Sequence, residues 1–184
     1  GFTQNILGWN DFLGIHSLVP SVGFSTGENM FTHVSYMFLD KNFQSSGNNP
    51  RDAANHSFGF NHFIFFNQNK AYVLFGYRLE GENAEGAEFD YTGHRLTAGI
   101  QLPVCWDMKV KLSYNFALKD YDNVTSSIGE ERLDKKNTLR FLLSRKFLDH
   151  FEAKIDYQHI ISDSNLASVD FTQNVLKLEV GFSY

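Results

Sequence analysis

The chain has little of what helical membrane proteins and disulfide-stapled domains depend on. No stretch approaches the ~18 uninterrupted apolar residues of a membrane-spanning helix, and the apolar cluster at residues 63–66 is far too short. A helical membrane protein is thereby excluded; a β-barrel is not, because its apolar residues are diluted by alternation. The single cysteine, Cys105, excludes an internal disulfide and is expected as a small residue in a turn. Basic residues are the minority, 16 Lys and Arg against 21 Asp and Glu, so nucleic acid, which needs a basic surface, is not an expected partner. Gly1-Phe2-Thr3-Gln4-Asn5 lacks the basic start and apolar run of a signal peptide, so an exported protein is met here as a processed chain or a piece of a longer one. Proline is scarce as well (3 in 184 residues), whereas aromatics reach 16%, with 19 Phe and 8 Tyr, a composition that favours strands.

What is present is alternation. In residues 108–121, Met108, Val110, Leu112, Tyr114, Phe116 and Leu118 oppose Lys109, Lys111, Ser113, Asn115, Ala117 and Lys119. Six such positions cover roughly 35 Å at ~3.3 Å per residue, enough to cross a bilayer at a tilt. The last strand sets Leu176, Leu178, Val180, Phe182 and Tyr184 against Val175, Lys177, Glu179, Gly181 and Ser183. Similar faces recur on Val34, Tyr36 and Phe38; on Phe58, Phe60, Ile64 and Phe66; on Ala71, Val73, Phe75, Tyr77 and Leu79; on Leu96, Ala98, Ile100 and Leu102; on Leu139, Phe141 and Leu143; and on Ile155, Tyr157 and Ile161.

The connections alternate too. Short ones fall at residues 26–29, 67–70, 103–107 and 148–150, and long polar ones at 41–55, 81–88, 122–136 and 162–170. Short turns at one rim and long loops at the other are the habit of outer-membrane barrels. The expectation is one all-β domain over residues 1–184: an antiparallel up-and-down transmembrane β-barrel of about eight to ten strands, complete or part of a larger barrel. About nine strands are legible from Ile15 onward, and barrels of this kind close with even numbers, so either residues 2–13 supply a tenth or strands precede Gly1. Residues 1–14 alternate poorly. Tyr184 is expected at the periplasmic rim, with Trp106, Phe147 and Phe151 in one aromatic girdle and Phe89, Tyr91, Tyr121 and Phe171 in the outer one.

The final strand, with its C-terminal aromatic and alternating apolar residues, resembles the signal recognised by the barrel assembly machinery. Asp163-Ser164-Asn165 and Asp170-Phe171-Thr172-Gln173-Asn174-Val175 are similar to the ending of outer-membrane barrels attached to periplasmic tetratricopeptide repeats, with Phe171 and Gln173 in place of the usual Tyr and Arg. Residues 89–94, Lys119-Asp120-Tyr121 and Arg132-Leu133-Asp134 resemble the same group, which includes surface lipoprotein assembly modifiers and, more loosely, exopolysaccharide export porins. The resemblance covers roughly the last 130 residues and implies a Gram-negative outer-membrane location. It also implies contact with lipopolysaccharide and a repeat domain or export complex outside this chain.

No catalytic, metal or cofactor site is expected. The seven His are scattered without ligand spacing. Asp90, His94, Asp120 and Asp163 lie near the outer rim, but a nucleophile–base–orienter set cannot be argued before the strand neighbours are known and none of the local motifs of barrel enzymes is present, so an outer-membrane enzyme ranks third. The acidic stretch Glu82, Glu85, Glu88 and Asp90 matches no calcium loop. The inward face is richer: Arg78, Arg95, Lys109, Lys111, Lys119, Arg140, Lys146, Lys154 and Lys177, with Glu80, Asp156 and Glu179 as the acidic minority, are expected to line the lumen. A cationic lumen suits a porin-like channel, or the pore of an export system, for an anionic solute or polymer. The same residues paired into ladders would instead plug a small closed barrel of structural, adhesive or anchoring role.

Overall fold

A computed structural model describes residues 1–7, 10–43, 49–147 and 150–182, with the backbone alone for residues 2, 4–7, 10 and 11. The chain is all-β. Its segments are β1 (Phe2–Leu7), β2 (Asn10–Leu18), β3 (Ser21–Gly27), β4 (Met30–Phe43), β5 (Ala53–Phe66), β6 (Ala71–Ala84), β7 (Tyr91–Pro103), β8 (Met108–Thr125), β9 (Glu130–Phe147), β10 (Phe151–Ser164) and β11 (Phe171–Phe182). Two 3-10 turns, Ala87–Phe89 and Ala167–Val169, precede β7 and β11. No helix is long and apolar enough to cross a membrane.

All pairings are antiparallel, in the order β1-β2-β4-β5-β6-β7-β8-β9-β10-β11, with β3 also on β4. β2 pairs with Phe38 to Phe43 of β4 and β3 with Met30 to Ser35, so the two lie end to end along one edge. Pro20 interrupts them because it has no N–H to donate, yet its carbonyl still accepts from Tyr36 N at 3.1 Å. Counted as one position, β2 and β3 complete an up-and-down sheet of ten strands. The tenth strand sought in residues 2–13 is β1 with the start of β2; Trp9 lies outside the described residues, as does Tyr184. Among the described residues β1 pairs only with β2 and β11 only with β10, so the sheet is not closed.

The strands run further than their hydropathy. The expected loop at residues 122–136 is mostly ladder: β8 and β9 are 18 residues each and meet at a turn over 126–129, where Gly129 takes φ +73°. β6 and β10 likewise extend to Ala84 and Ser164. Ladder hydrogen bonds continue where both faces are polar, and there no apolar stripe remains to report them. The opposite ends are tight. Asn67, Gln68 and Asn69 are all left-handed (φ 51–65°), as are Trp106 and Asp107, and Asn and Asp tolerate that region better than most residues. Cys105 sits exposed in the second of these turns.

The two faces have reversed polarity compared with a soluble sheet. Small polar residues on one face are buried: Asn55 is 2% and Asp156 5% exposed, with Ser35, Ser57, Ser113 and Ser162 alongside. Large apolar residues on the other face are open, Phe58 at 57% and Phe75 at 59%. The sheet curls toward its polar side. Side chains separated by a whole strand meet there: Lys41 on β4 with Glu82 on β6, and Arg78 on β6 with Ser35 on β4.

Candidate functional site

The polar face is layered by strand register. Near the long connections, Glu82 Oε2 accepts from Asn55 Nδ2 (2.9 Å) and Tyr91 OH (3.1 Å) and pairs with Lys41. Tyr91 opposes Tyr121 across β7 and β8, their rings 5.3 Å apart. The Lys119 ammonium lies 3.9 Å from the Tyr91 centroid and the Arg132 guanidinium 4.5 Å from that of Tyr121. Arg132 forks onto Asp134 at 2.9 and 2.6 Å, and Ser164 Oγ donates to the same carboxylate. Glu80 folds over Gly93, where a Cβ would stand 2.5 Å from its Cγ. Three cations thus face three carboxylates in this layer: Lys41, Lys119 and Arg132 against Glu80, Glu82 and Asp134.

The next rung is unbalanced. Register carries it through Ser35, Gly59, Arg78, Arg95, Ala117, Lys136 and Ser162. Arg78 and Arg95 are directly opposed, an arrangement that is destabilising when both charges stay in place. Arg78 turns away across Gly59 and donates to Ser57 Oγ (2.9 Å) and Ser35 Oγ (3.2 Å). A Cβ at residue 59 would come within 3.2 Å of Arg78 Cβ and 3.0 Å of the Tyr77 carbonyl, so glycine there clears its path.

Further toward the short turns, Arg140 forks onto Asp156 at 2.8 and 2.5 Å. Asp156 also stands opposite Lys177, and Lys154 stands opposite Glu179 while pairing with Glu152 at 3.0 Å. Lys109, Lys111 and Lys146 have no carboxylate within 4.0 Å among the described residues. Lys109, Lys146 and Lys70 line a cavity of about 390 Å³ with Ser144 and Glu152. All twelve residues expected to line a lumen therefore share one face by register. They do not act alike: some are locked in pairs and some are free of acidic partners.

The expected outer girdle needs correction at three residues. Tyr91 and Tyr121 are not girdle residues: they are 4% and 7% exposed on the polar face, because Tyr91 is in register with Glu82 and Tyr121 with Tyr91. Phe171 also belongs to that face, opposite Ser162 and under Lys136. The aromatic belt toward the long connections is instead Tyr36, Tyr77, Tyr114 and Tyr157, one on each of β4, β6, β8 and β10. Their hydroxyls meet His56 Nδ1 (2.6 Å), His94 Nδ1 (2.7 Å), Asn137 Oδ1 (2.5 Å) and Asn174 Oδ1 (2.8 Å). Each partner lies on the following strand, two residues before the position directly opposite the tyrosine. The sequence carried this signal as a polar residue recurring two places before an apolar run. Toward the short turns, Phe147, Phe151 and Phe182 cluster on the same apolar face, with centroids 5.5 and 5.1 Å apart.

A second group that alternation missed is Phe31, Phe63, Phe65 and Tyr72, packed on the polar face with centroids 5.5 to 6.4 Å apart. The unbroken apolar run at 63–66 concealed which of its members point inward. Asp90, His94, Asp120 and Asp163 do not assemble into one group. Asp90 accepts from Ala84 N, His94 meets Tyr77, and β9 separates Asp120 from Asp163. No group of metal-ligating residues converges among the described residues. The acidic connection is dispersed: Glu88 accepts from Ser126 N (2.9 Å) and Oγ (2.6 Å), while Glu82 faces the polar side. No protein-family model matches the chain, and no curated protein or solved structure is significantly similar to it.

Proposed function

We propose that this chain forms a β-barrel, or a sector of a larger one, that spans a bacterial outer membrane and conducts anionic solutes. The observation that carries this is the reversed polarity of the sheet, which in water would leave its apolar face without a partner. A lipid surround covers that face, and water inside solvates the buried Ser, Asn and charged side chains. The apolar positions of β5 run from Phe58 to Phe66, roughly 26 Å of strand, or about 20 Å after a ~40° tilt, on the scale of the ~25 Å apolar band of such barrels. The Tyr belt and the Phe147–Phe151–Phe182 cluster bound that band as interfacial aromatics do, each Tyr with its polar tip satisfied. Ten strands is an even count. Lys109, Lys111 and Lys146, with no carboxylate within 4.0 Å among the described residues, supply the field that favours anions in a low-dielectric passage.

A second reading has its own support. The pairs Lys41–Glu82, Arg132–Asp134 and Arg140–Asp156 are lumen-filling ladders of the kind that suit a closed barrel with a structural or anchoring role. Within a larger barrel the same sector serves an export pore for an anionic polymer. The full chain, refolded in detergent, is expected to migrate differently on gels before and after boiling and to give anion-selective conductance in planar bilayers. Silence under voltage would sink the channel, and a monomer soluble without detergent would overturn the membrane assignment itself.

A further inference from the structure

We infer that the middle rung of the polar face holds an oxyanion site, formed by Arg95 and Lys136 on either side of Ala117, that takes the phosphate group of a small soluble solute. The site deepens the channel proposed above, on which it rests for solute access. Its geometry follows from four features of the rung and its neighbour. Ala117 is the small residue between two long cations, Arg95 on β7 and Lys136 on β9. The space left above it, about 280 Å³, is lined by Arg95, Asn115, Ala117, Lys136 and Thr138, several times the ~30 Å³ share of one water.

No carboxylate lines it, and none lies within 4.0 Å of either cation among the described residues. Of the nearby acids, Asp134 is committed to Arg132 and Ser164 and Asp156 to Arg140, while Glu80, diagonal to Arg95, folds over Gly93 in the balanced layer. The opposing cation, Arg78, is drawn off toward Ser35 and Ser57.

The donor set suits an oxyanion. Arg95 offers a planar fork of N–H groups that matches two phosphate oxygens, and Lys136 adds a compact charge. Asn115 Oδ1 is engaged by Thr97 Oγ1 at 2.8 Å, which leaves its Nδ2 hydrogens to donate, and the Thr138 hydroxyl completes the lining. Every group facing the space is therefore a cation, a donor or a methyl group. A permeating anion would dwell here between the balanced layer above and the Arg140–Asp156 pair below.

The test is isothermal titration of the full chain, refolded in detergent, with inorganic phosphate, folding of each variant being verified by its gel shift on boiling. Wild type is expected to bind. Arg95→Gln and Ala117→Glu, the latter placing a carboxylate between the cations, are each expected to weaken binding at least about tenfold, the scale of one charge-assisted contact. Lys111→Gln, which removes a cation of the same face outside the site, is expected to stay within about twofold.

Absence of binding by wild type overturns the site, as does a loss in Lys111→Gln equal to that in Arg95→Gln. Binding seen only with lipopolysaccharide added to the micelles assigns the phosphate to a lipid headgroup and overturns the soluble-solute assignment. Conductance separates the two proposals. Phosphate binding with a silent bilayer removes the channel and keeps the site; conductance without phosphate binding does the reverse.

Discussion

At the scale of single residues, the decisive positions are those where charge meets confinement. Asp156 is nearly inaccessible, and its carboxylate is held by both arms of the Arg140 fork. Arg140→Ala leaves that carboxylate without its counter-ion. Because the guanidinium is itself 43% exposed, the expected loss is about 1–2 kcal/mol, less than for a fully buried pair. Urea titration in detergent checks this, and the double variant Arg140→Ala/Asp156→Ala should recover part of the loss.

Glu88 offers a pH-dependent contact outside the apolar band. The Ser126 hydroxyl and then its amide donate to the Glu88 carboxylate and hold its pKa below the ordinary value. A lowered folded pKa means the tether is fully present above the ordinary glutamate range and is lost as pH falls through the lowered value. Amide exchange at Ser126, expressed relative to the intrinsic rate at each pH, should therefore stay slow through the usual glutamate midpoint and rise only below it. In Glu88→Gln the acid-induced rise should disappear; a rise that persists in that variant would contradict the tether.

At the scale of elements, the hairpins β4–β5, β6–β7, β8–β9 and β10–β11 repeat one device. A tyrosine on the first strand reaches diagonally to a His or Asn on the second. The direct cross-strand neighbours of these tyrosines are Phe58, Leu96, Leu139 and Leu176, so each ring packs on an apolar side chain while its hydroxyl is satisfied. Tyr114→Phe removes one hydroxyl and leaves the ring in place. The expected cost is about 0.5–1.5 kcal/mol, the net worth of one hydrogen bond, read as a shift in the urea midpoint with an unchanged slope. Asn137→Leu, which deletes the polar partner, should leave the Tyr114 hydroxyl free to turn toward headgroups and cost no more than Tyr114→Phe.

At the scale of the whole molecule, the two edges decide whether the ten strands close on themselves. β1 and β11 each present one row of backbone groups without a strand partner among the described residues, and β11 also exposes Leu176, Leu178 and Val180. Such edges are costly in water and intolerable in lipid. Closure of the ten strands joins β1 to β11, whereas a larger barrel places further strands between them. Spin labels at Thr3 and Leu178, introduced after Cys105→Ser because that thiol is exposed, distinguish these. Paired neighbours stand about 5 Å apart at the backbone, so closure predicts a label distance below roughly 20 Å. Distances well above that, in folded protein in detergent, would falsify closure.

The all-β class, the up-and-down order and the polar face were legible in the chain itself, because a side-chain period of two puts Lys109, Lys111 and Arg140 opposite Leu112, Tyr114 and Phe141 whatever the strands pair with. The short turns at 67–70 and 103–107 were legible as well, from their Asn and Asp residues, while the one expected at 148–150 lies largely outside the described residues. Register was not, since alternation is blind to which residue stands across from which. That is why the diagonal Tyr–His and Tyr–Asn contacts went unseen, whereas Tyr91 and Tyr121 share the parity of Arg95 and Lys119 and were misplaced in a girdle on their aromatic character alone. Register also decided which cations are neutralised, as with Arg140 by Asp156, and which are not, as with Arg95 and Lys136 around Ala117. The sequence by itself determined that one face of this sheet is polar and the other apolar; only the tertiary structure decided where on the polar face charge is left uncompensated, because that depends on contacts across strands.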